Sequence, residues 1–355
     1  MSHLSIAHER LLRQYIATPT FKTPLDVVSH MGAVQAQDYL GSLWAIGLRM
    51  EHATEASIED AVRTKSIIRT WPMRGTLHFV SSRDARWMLS LMTPRIVAGS
   101  LGRFKQLGLD DDILARARRS WERALRDGPL ARTEMYAELE SAGISTAGYR
   151  ALHLLGRLAQ EQVICFGPRQ GKQHTFALFD QWVPPTKPKT TEESLGEITV
   201  RYFTSHGPAT IQDMGWWSGL TVVHIKQGIA IAGNLLESHI VEGTTYYTGS
   251  KSASFIPSLA DTFLLPPFDE YLVAYRNRDA ALQKAHAQHY NPGANGMLSA
   301  VIVQNGQVVG TWKRTVAKQG IRVHPMPFPA PMRIAKPAYE AGAERYAQFL
   351  GLPIK

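Results

Sequence analysis

The chain has 355 residues, too many for one ordinary domain and enough for two to four. Hydrophobic residues make up 44% and charged residues 19%, a balance that excludes disordered and fibrous classes. A formal charge of +9 favours a polyanionic partner, and the single cysteine rules out an internal disulfide or a multi-cysteine metal site.

In chain order, "IAHERLLRQYI" and "PLDVVSHMGAV" read as two helices. "SIEDAVRTKSIIRT" reads as a third, opened by the capping-box pattern "SIED", and "TWPMRGTLHFV" as a hairpin after it. A segment containing "GAVQAQDYLGSLW" is inserted before that third helix. The next helical stretch, "ILARARRSWERALRD", leads into "GPLARTEM", then "YAELESAGIS", "AGYRALHLLGRLAQEQVI" and "QHTFALF". Leu152, Leu155 and Leu158 with Ala151 and Ala159 recur there at helical spacing, and "QVICFG" follows as a strand. Cys165 sits in that strand as a small buried hydrophobe, and its lack of a partner points to a reducing compartment.

The same order returns after the proline-rich linker "VPPTKPKTT". "SLGEITVRYFTSH" precedes "GPATIQDM", which matches the earlier "GPLARTEM", and "TVVHIKQGIAIAGNLLESHI" and "VEGTTYYTG" complete the copy. Helix, helix, helix, strand, turn, strand is the order of a winged helix-turn-helix, whose third helix can enter a major groove. Beyond residue 255 the pattern turns to strands. Asn305-Gly306 between two apolar runs signals a type I′ hairpin, "GIRVHPMPF" a further strand, and "PAYEAGAERYAQFLGL" a closing helix. The expected fold is therefore α+β, with winged-helix modules over 1–95, 96–185 and 190–255 and a β-rich C-terminal domain with a closing helix over 256–355.

Among the basic residues, Arg116, Arg118, Arg119, Arg123 and Arg126 line one helix, where a solvated face is the expected reading. Arg69, Arg74 and Arg103 lie in or near wing and turn segments without matching acids, as phosphate contacts require. "RTWPMRGTLHFV" leaves two readings open. Trp71 and Leu77 can pack the wing onto its own helices, or Arg74-Gly75 can approach a groove while His78 contacts a phosphate or base. His286 and His289 form the only close histidine pair, with no supporting carboxylate, so no metal site is expected. No phosphate-binding or dinucleotide-binding loop is present, and no cofactor is expected. In "PPFDEYL", Asp269 and Glu270 either serve as acid and base or cap the next segment, and capping is favoured. No signal peptide or apolar span of ~20 residues is evident, so the expected location is the cytoplasm.

Gln35 and Gln37 flank a single alanine in an otherwise apolar stretch. With "VQAQ" before the third helix, "RTWPMRGTLHFV" after it, tandem winged helices and "LLPPFDEYL" opening the β-rich part, the chain resembles the AlkZ-like DNA glycosylases. These are bacterial proteins of the winged-helix DNA-binding family related to YcaQ. The YcaQ-like branch carries an acidic residue as the second polar member of the motif, and Gln37 places this chain nearer the AlkZ branch.

The resemblance implies three winged helices around a concave DNA-binding face. It also implies excision of alkylated bases from double-stranded DNA, including unhooking of interstrand crosslinks. It makes Gln35 and Gln37 the catalytic pair, the plainer alternative being buried structural amides bonded to backbone. An N7-alkylated guanine is already cationic and leaves with little acid assistance, so the remaining task is to orient water against the oxocarbenium-like sugar carbon. A glutamine carbonyl can do this without taking a proton. Arg69, Arg74, His78 and Arg103 are the expected DNA contacts, and three unequal modules suit a monomer on one lesion. Two rivals are a non-enzymatic winged-helix regulator, which is ordinarily a symmetric dimer on paired half-sites, and a C-terminal sensor for a small ligand.

Overall fold

The computed structural model describes residues 3–250, 262–329 and 336–355, so the expected boundary at 255/256 lies outside the described residues. The chain divides into two compact units, Met1–Ile58 with Leu195–Lys355, and Glu59–Ser194.

In the first unit, helices His3–Arg13 and Pro24–Met31 come first, the second opened by Thr23, whose hydroxyl accepts from Asp26 N. Gly32, at φ 76°, turns the chain out of that helix into the two-residue extended stretch Val34–Gln35. Helix Tyr39–Gly47 follows, an element the sequence reading treated only as an insertion.

After the second unit the chain returns through helix Thr191–His206 to helices Ile211–Ser218 and Val222–Ala232 and hairpin Leu236–Val241/Thr244–Gly249. Thr210 and Asp213, from the repeated "GPATIQDM", form a reciprocal capping box at the start of Ile211–Ser218.

A four-stranded antiparallel sheet runs in the order Gly320–Pro327, Gln307–Ala317, Val301–Gln304, Thr262–Leu265. Asn305 and Gly306 have φ of 52° and 73°, the left-handed pair of a type I′ turn. Helix Lys336–Leu350 packs along Thr262–Leu265 and buries Tyr346 and Phe349.

In the second unit, strands Ile67–Met73 and Thr76–Ser81 form an antiparallel hairpin, with Thr70 opposite His78. The sequence reading carried the preceding helix through residue 70, but the helix ends at Arg63 and a strand begins at Ile67. Ile67, Ile68 and Thr70 are β-branched, and every residue of Ile67–Met73 is buried, so no alternation marks the strand. The 22-residue helix Ala85–Gln106 then runs unbroken through residues 95 and 96.

Three further helices follow, Asp111–Ala124, Arg132–Ser141 and Arg150–Gln160. A small sheet has the order Leu130–Ala131, Thr175–Leu178, Ile164–Phe166. The core gathers Trp121, Leu139, Leu154, Leu155, Leu158 and Phe176. Leu152, expected inside, is 44% exposed, and Leu154 takes its place. The buried face runs 151, 154, 155, 158, 159, the i, i+3, i+4 stripe of a helix packed on one side.

Among the described residues, no helix is long and apolar enough to cross a membrane.

Candidate active site

The Gln–Ala–Gln stretch lies in the first unit, and its two amides differ in setting. Gln35 is 5% exposed, Ala36 is fully buried and Gln37 is exposed. The backbone N–H of Gln35 donates to Glu270 Oε1 at 2.7 Å. Directly after Gln37, Asp38 stands at the N-terminus of helix Tyr39–Gly47. One amide is therefore held inside by its backbone while the other reaches solvent from the same short segment.

Glu270 is the centre of the support. Its side chain is fully buried, and Oε2 accepts from Trp217 Nε1 at 3.0 Å and lies 3.6 Å from His206 Nε2. The His206 ring stacks on Tyr202 at 4.9 Å and 11°, with Nδ1 2.8 Å from Ser205 Oγ. Burial lowers the His206 pKa, against the opposing pull of Glu270.

The neighbouring Asp269 does what capping requires, accepting from Tyr271 N–H at 2.9 Å at the head of the turn Glu270–Val273. It also takes a two-pronged contact from Arg49, at 2.9 and 3.0 Å. Arg49 is wholly buried and donates further to Ala45 O and Gln14 Oε1. From Gln14 the chain of bonds continues through Tyr275 Oη to His206 O. Both carboxylates of "FDEY" are thus buried and engaged by donors, an arrangement for holding backbone. Phe268 before them has φ 62°, a conformation that costs a non-glycine residue on the order of 1 kcal/mol or more.

The four candidate DNA contacts all fall in the second unit, and they separate by burial. Arg74 (φ 55°) and Gly75 (φ 71°) form the hairpin turn, with Arg74 half-buried. Its Nη2 lies 3.5 Å from His78 Nε2. Arg103 is exposed in the last turn of helix Ala85–Gln106, its Nη1 bonded to Gln106 Oε1 at 3.3 Å.

His78 and Arg69 are found inside. His78 is fully buried and donates from Nδ1 to Thr76 O at 3.0 Å, two residues back on its own strand. Arg69 is 4% exposed, lies over the Phe166 ring at 4.6 Å and sits 3.4 Å from His174 Nε2. Burial together with the Arg69 and Arg169 guanidiniums pulls the His174 pKa down to about 4. The Arg69 guanidinium thus packs against a ring and His78 lies inside, so neither side chain faces solvent in this structure. Trp71 stacks near Phe166, the packing reading of the wing.

The arginine helix follows the solvated reading in part, since Arg118 pairs with Glu122 and Arg116 with Asp112. His286 and His289 both stack on Phe328. No group of three metal-ligating side chains occurs among the described residues. Cys165 is buried, and burial pushes its thiol pKa up, as an inert core residue requires.

The sequence reading missed Arg49, His206 and Trp217. None sits in a motif, because each reaches Glu270 or Asp269 only through the fold. The one signal pointing towards them was the conspicuous "FDEY" turn.

A family model described as DNA glycosylase AlkZ-like matches residues 28–349. The chain is 27% identical to the interstrand DNA cross-link repair glycosylase of Streptomyces sahachiroi, over 98% of this chain and 96% of that protein. The solved structure of the S. sahachiroi DNA glycosylase AlkZ superposes with a TM-score of 0.83 at 26% identity, covering 100% of this chain and 99% of that one.

Proposed function

The chain belongs to the family of AlkZ-like DNA glycosylases, and from that premise we propose that it excises cationic alkylated bases of the N7-alkylguanine type from double-stranded DNA and unhooks interstrand crosslinks. The observation that carries this is the setting of Gln35-Ala36-Gln37. Gln37 is presented to solvent from a segment whose backbone is clamped by a buried glutamate.

A neutral amide suits this substrate. Its carbonyl orients water by accepting a hydrogen bond, and it has no proton-accepting power to spend on an uncharged base. N7 alkylation gives guanine a positive charge, so the bond to the sugar loosens without an acid. Orienting the attacking water is then the part left to the protein. Glu270 acts by holding the Gln35 backbone, and Asp269 by anchoring the turn that carries Glu270, both outside the reacting centre.

The modules follow the same reading. We assign the three repeats of helix, helix, helix and hairpin to tandem winged helices, ahead of the C-terminal sheet. Arg74 at the tip of the first hairpin and Arg103 are assigned to DNA phosphates, while Arg69 and His78 hold that hairpin together. The protein acts as a monomer on one lesion, without a cofactor.

The test is direct. The purified protein is incubated with a duplex carrying a single N7-methylguanine, then heated in alkali to cut abasic sites. Strand cleavage at the lesion is expected. An intact strand alongside tight, sequence-selective binding of undamaged duplex would favour a regulator instead.

A further inference from the structure

Hydrolysis of a base from its sugar leaves one proton to be placed. Water that adds to the sugar carbon must lose a proton, and a glutamine carbonyl can orient that water but cannot take the proton. We propose that Asp38 is a further catalytic residue, whose carboxylate accepts the proton of the water that Gln37 orients. The inference rests on the glycosylase reading and adds a proton acceptor to that same site.

This carboxylate is uncommitted, and it stands beside the exposed amide. Asp38 occupies the position before helix Tyr39–Gly47, where an aspartate ordinarily accepts from backbone N–H groups of the first turn, yet its side chain makes no capping bond. Among the described residues no hydrogen bond or ion pair engages it. By contrast Asp213 and Asp269, buried in the same unit, are each paired with an arginine and bonded to a backbone N–H. Asp38 is half-buried and directly follows the exposed Gln37. The chain bends at both residues, past the extended stretch Val34–Gln35, so strand alternation does not force the two side chains to opposite faces. Their Cα atoms are about 3.8 Å apart, and one water can bridge an amide and a carboxylate so spaced.

Gly41 makes room for the carboxylate. A Cβ built on Gly41 would stand 2.7 Å from Asp38 Oδ2 and 3.1 Å from its Cγ, closer than packed atoms allow. Glycine is otherwise unfavourable within a helix, so this position favours the placement of Asp38 over the helix itself. In the step, the bond between the sugar carbon and the base nitrogen breaks, and its electron pair passes to the cationic guanine, which leaves neutral. The water oxygen bonds to the sugar carbon. One water proton stays on the new hydroxyl and the other passes to Asp38, which later gives it up to solvent. An ionised carboxylate supplies no acid to a leaving group, so the restriction to cationic lesions is kept.

Asp38→Asn separates the base from the helix start, because asparagine caps a helix as well as aspartate does. Its single-turnover excision of N7-methylguanine should fall about 10²-fold, the low end for a positioned proton acceptor. Half-saturating enzyme concentration and melting temperature should stay at the wild-type values. Gly41→Ala should also slow excision, since its methyl group displaces the carboxylate; the next neighbour, Pro266 Cβ at 3.3 Å, has to give only slightly. Asp38→Ala should be slow as well, and added formate, a small carboxylate, should restore its excision while leaving the wild type unchanged. Wild-type excision by Asp38→Asn, or a loss in Asp38→Ala that formate does not relieve, overturns the role of Asp38 alone. A wild-type protein that releases no N7-methylguanine overturns the glycosylase reading and this inference with it.

Discussion

Replacing Glu270 tests whether the buried clamp serves catalysis or only the fold. Glu270→Ala strips the acceptors from two buried donors, Gln35 N–H and Trp217 Nε1–H. Each orphaned donor costs about 1–3 kcal/mol, so together they take roughly 2–6 kcal/mol from a stability of order 5–15 kcal/mol. That variant is expected to fold poorly. Glu270→Gln is the more informative change, because it keeps the volume and one carbonyl acceptor while its amide NH₂ faces one of the donors. Its cost is about 1–3 kcal/mol, a fall of several degrees in melting temperature. With the Gln35 backbone no longer held by a carboxylate, the segment ending in Gln37 shifts, and a misplacement of ~1 Å can cost ~10²-fold in rate. Single-turnover excision of N7-methylguanine, measured well below the melting temperature and beside DNA affinity by titration, separates the effects. The excision rate should fall while affinity holds. A lower melting temperature with the wild-type rate would refute the clamp's part in catalysis.

His30 should make stability fall in acid. Burial holds its folded pKa at about 4, below the usual 6.5, so the unfolded chain binds the extra proton between those values. Its contribution is fully present above pH 6.5 and is lost as pH falls towards 4, by at most about 3 kcal/mol; melts across that window should be flatter for His30→Gln, and an unchanged profile would contradict the assignment. Arg74→Ala and Arg103→Ala should each flatten the salt dependence of DNA affinity by about 0.9 in log K against log salt. Arg69→Ala, being buried over Phe166, should instead lower the melting temperature and leave that slope alone. Excision should continue in excess EDTA, and loss of activity restored by a divalent ion would overturn the metal-free mechanism.

What the sequence made legible were features written in neighbouring residues. The paired "GPLARTEM" and "GPATIQDM" marked two helix starts, and Asn305-Gly306 marked its hairpin because only certain residues adopt positive φ cheaply. Gln35 and Gln37 stood out as amides in an apolar run. Burial was not legible. Arg69 and Arg74 look alike in "RTWPMRG", yet one packs over Phe166 and the other forms the turn. Only the start of strand Ile67–Met73, residues 67–70, reads as helix in the sequence, because a run buried on every side carries no period. The Glu270 clamp joins residues 235 apart in sequence to Gln35, and no local pattern encodes such a meeting.

If the Gln–Ala–Gln segment orients the attacking water, Gln37→Ala should remove that water's acceptor and little else. Gln37 is exposed, so truncating its side chain empties no core space, whereas Gln35→Ala also alters a buried residue. Single-turnover excision of N7-methylguanine should fall ~10²–10³-fold in Gln37→Ala, with melting temperature and DNA affinity near wild type. Adding Gln35→Ala should slow it little further, since two groups holding one water act as a unit. Excision at the wild-type rate by a normally folded Gln37→Ala protein would contradict the account.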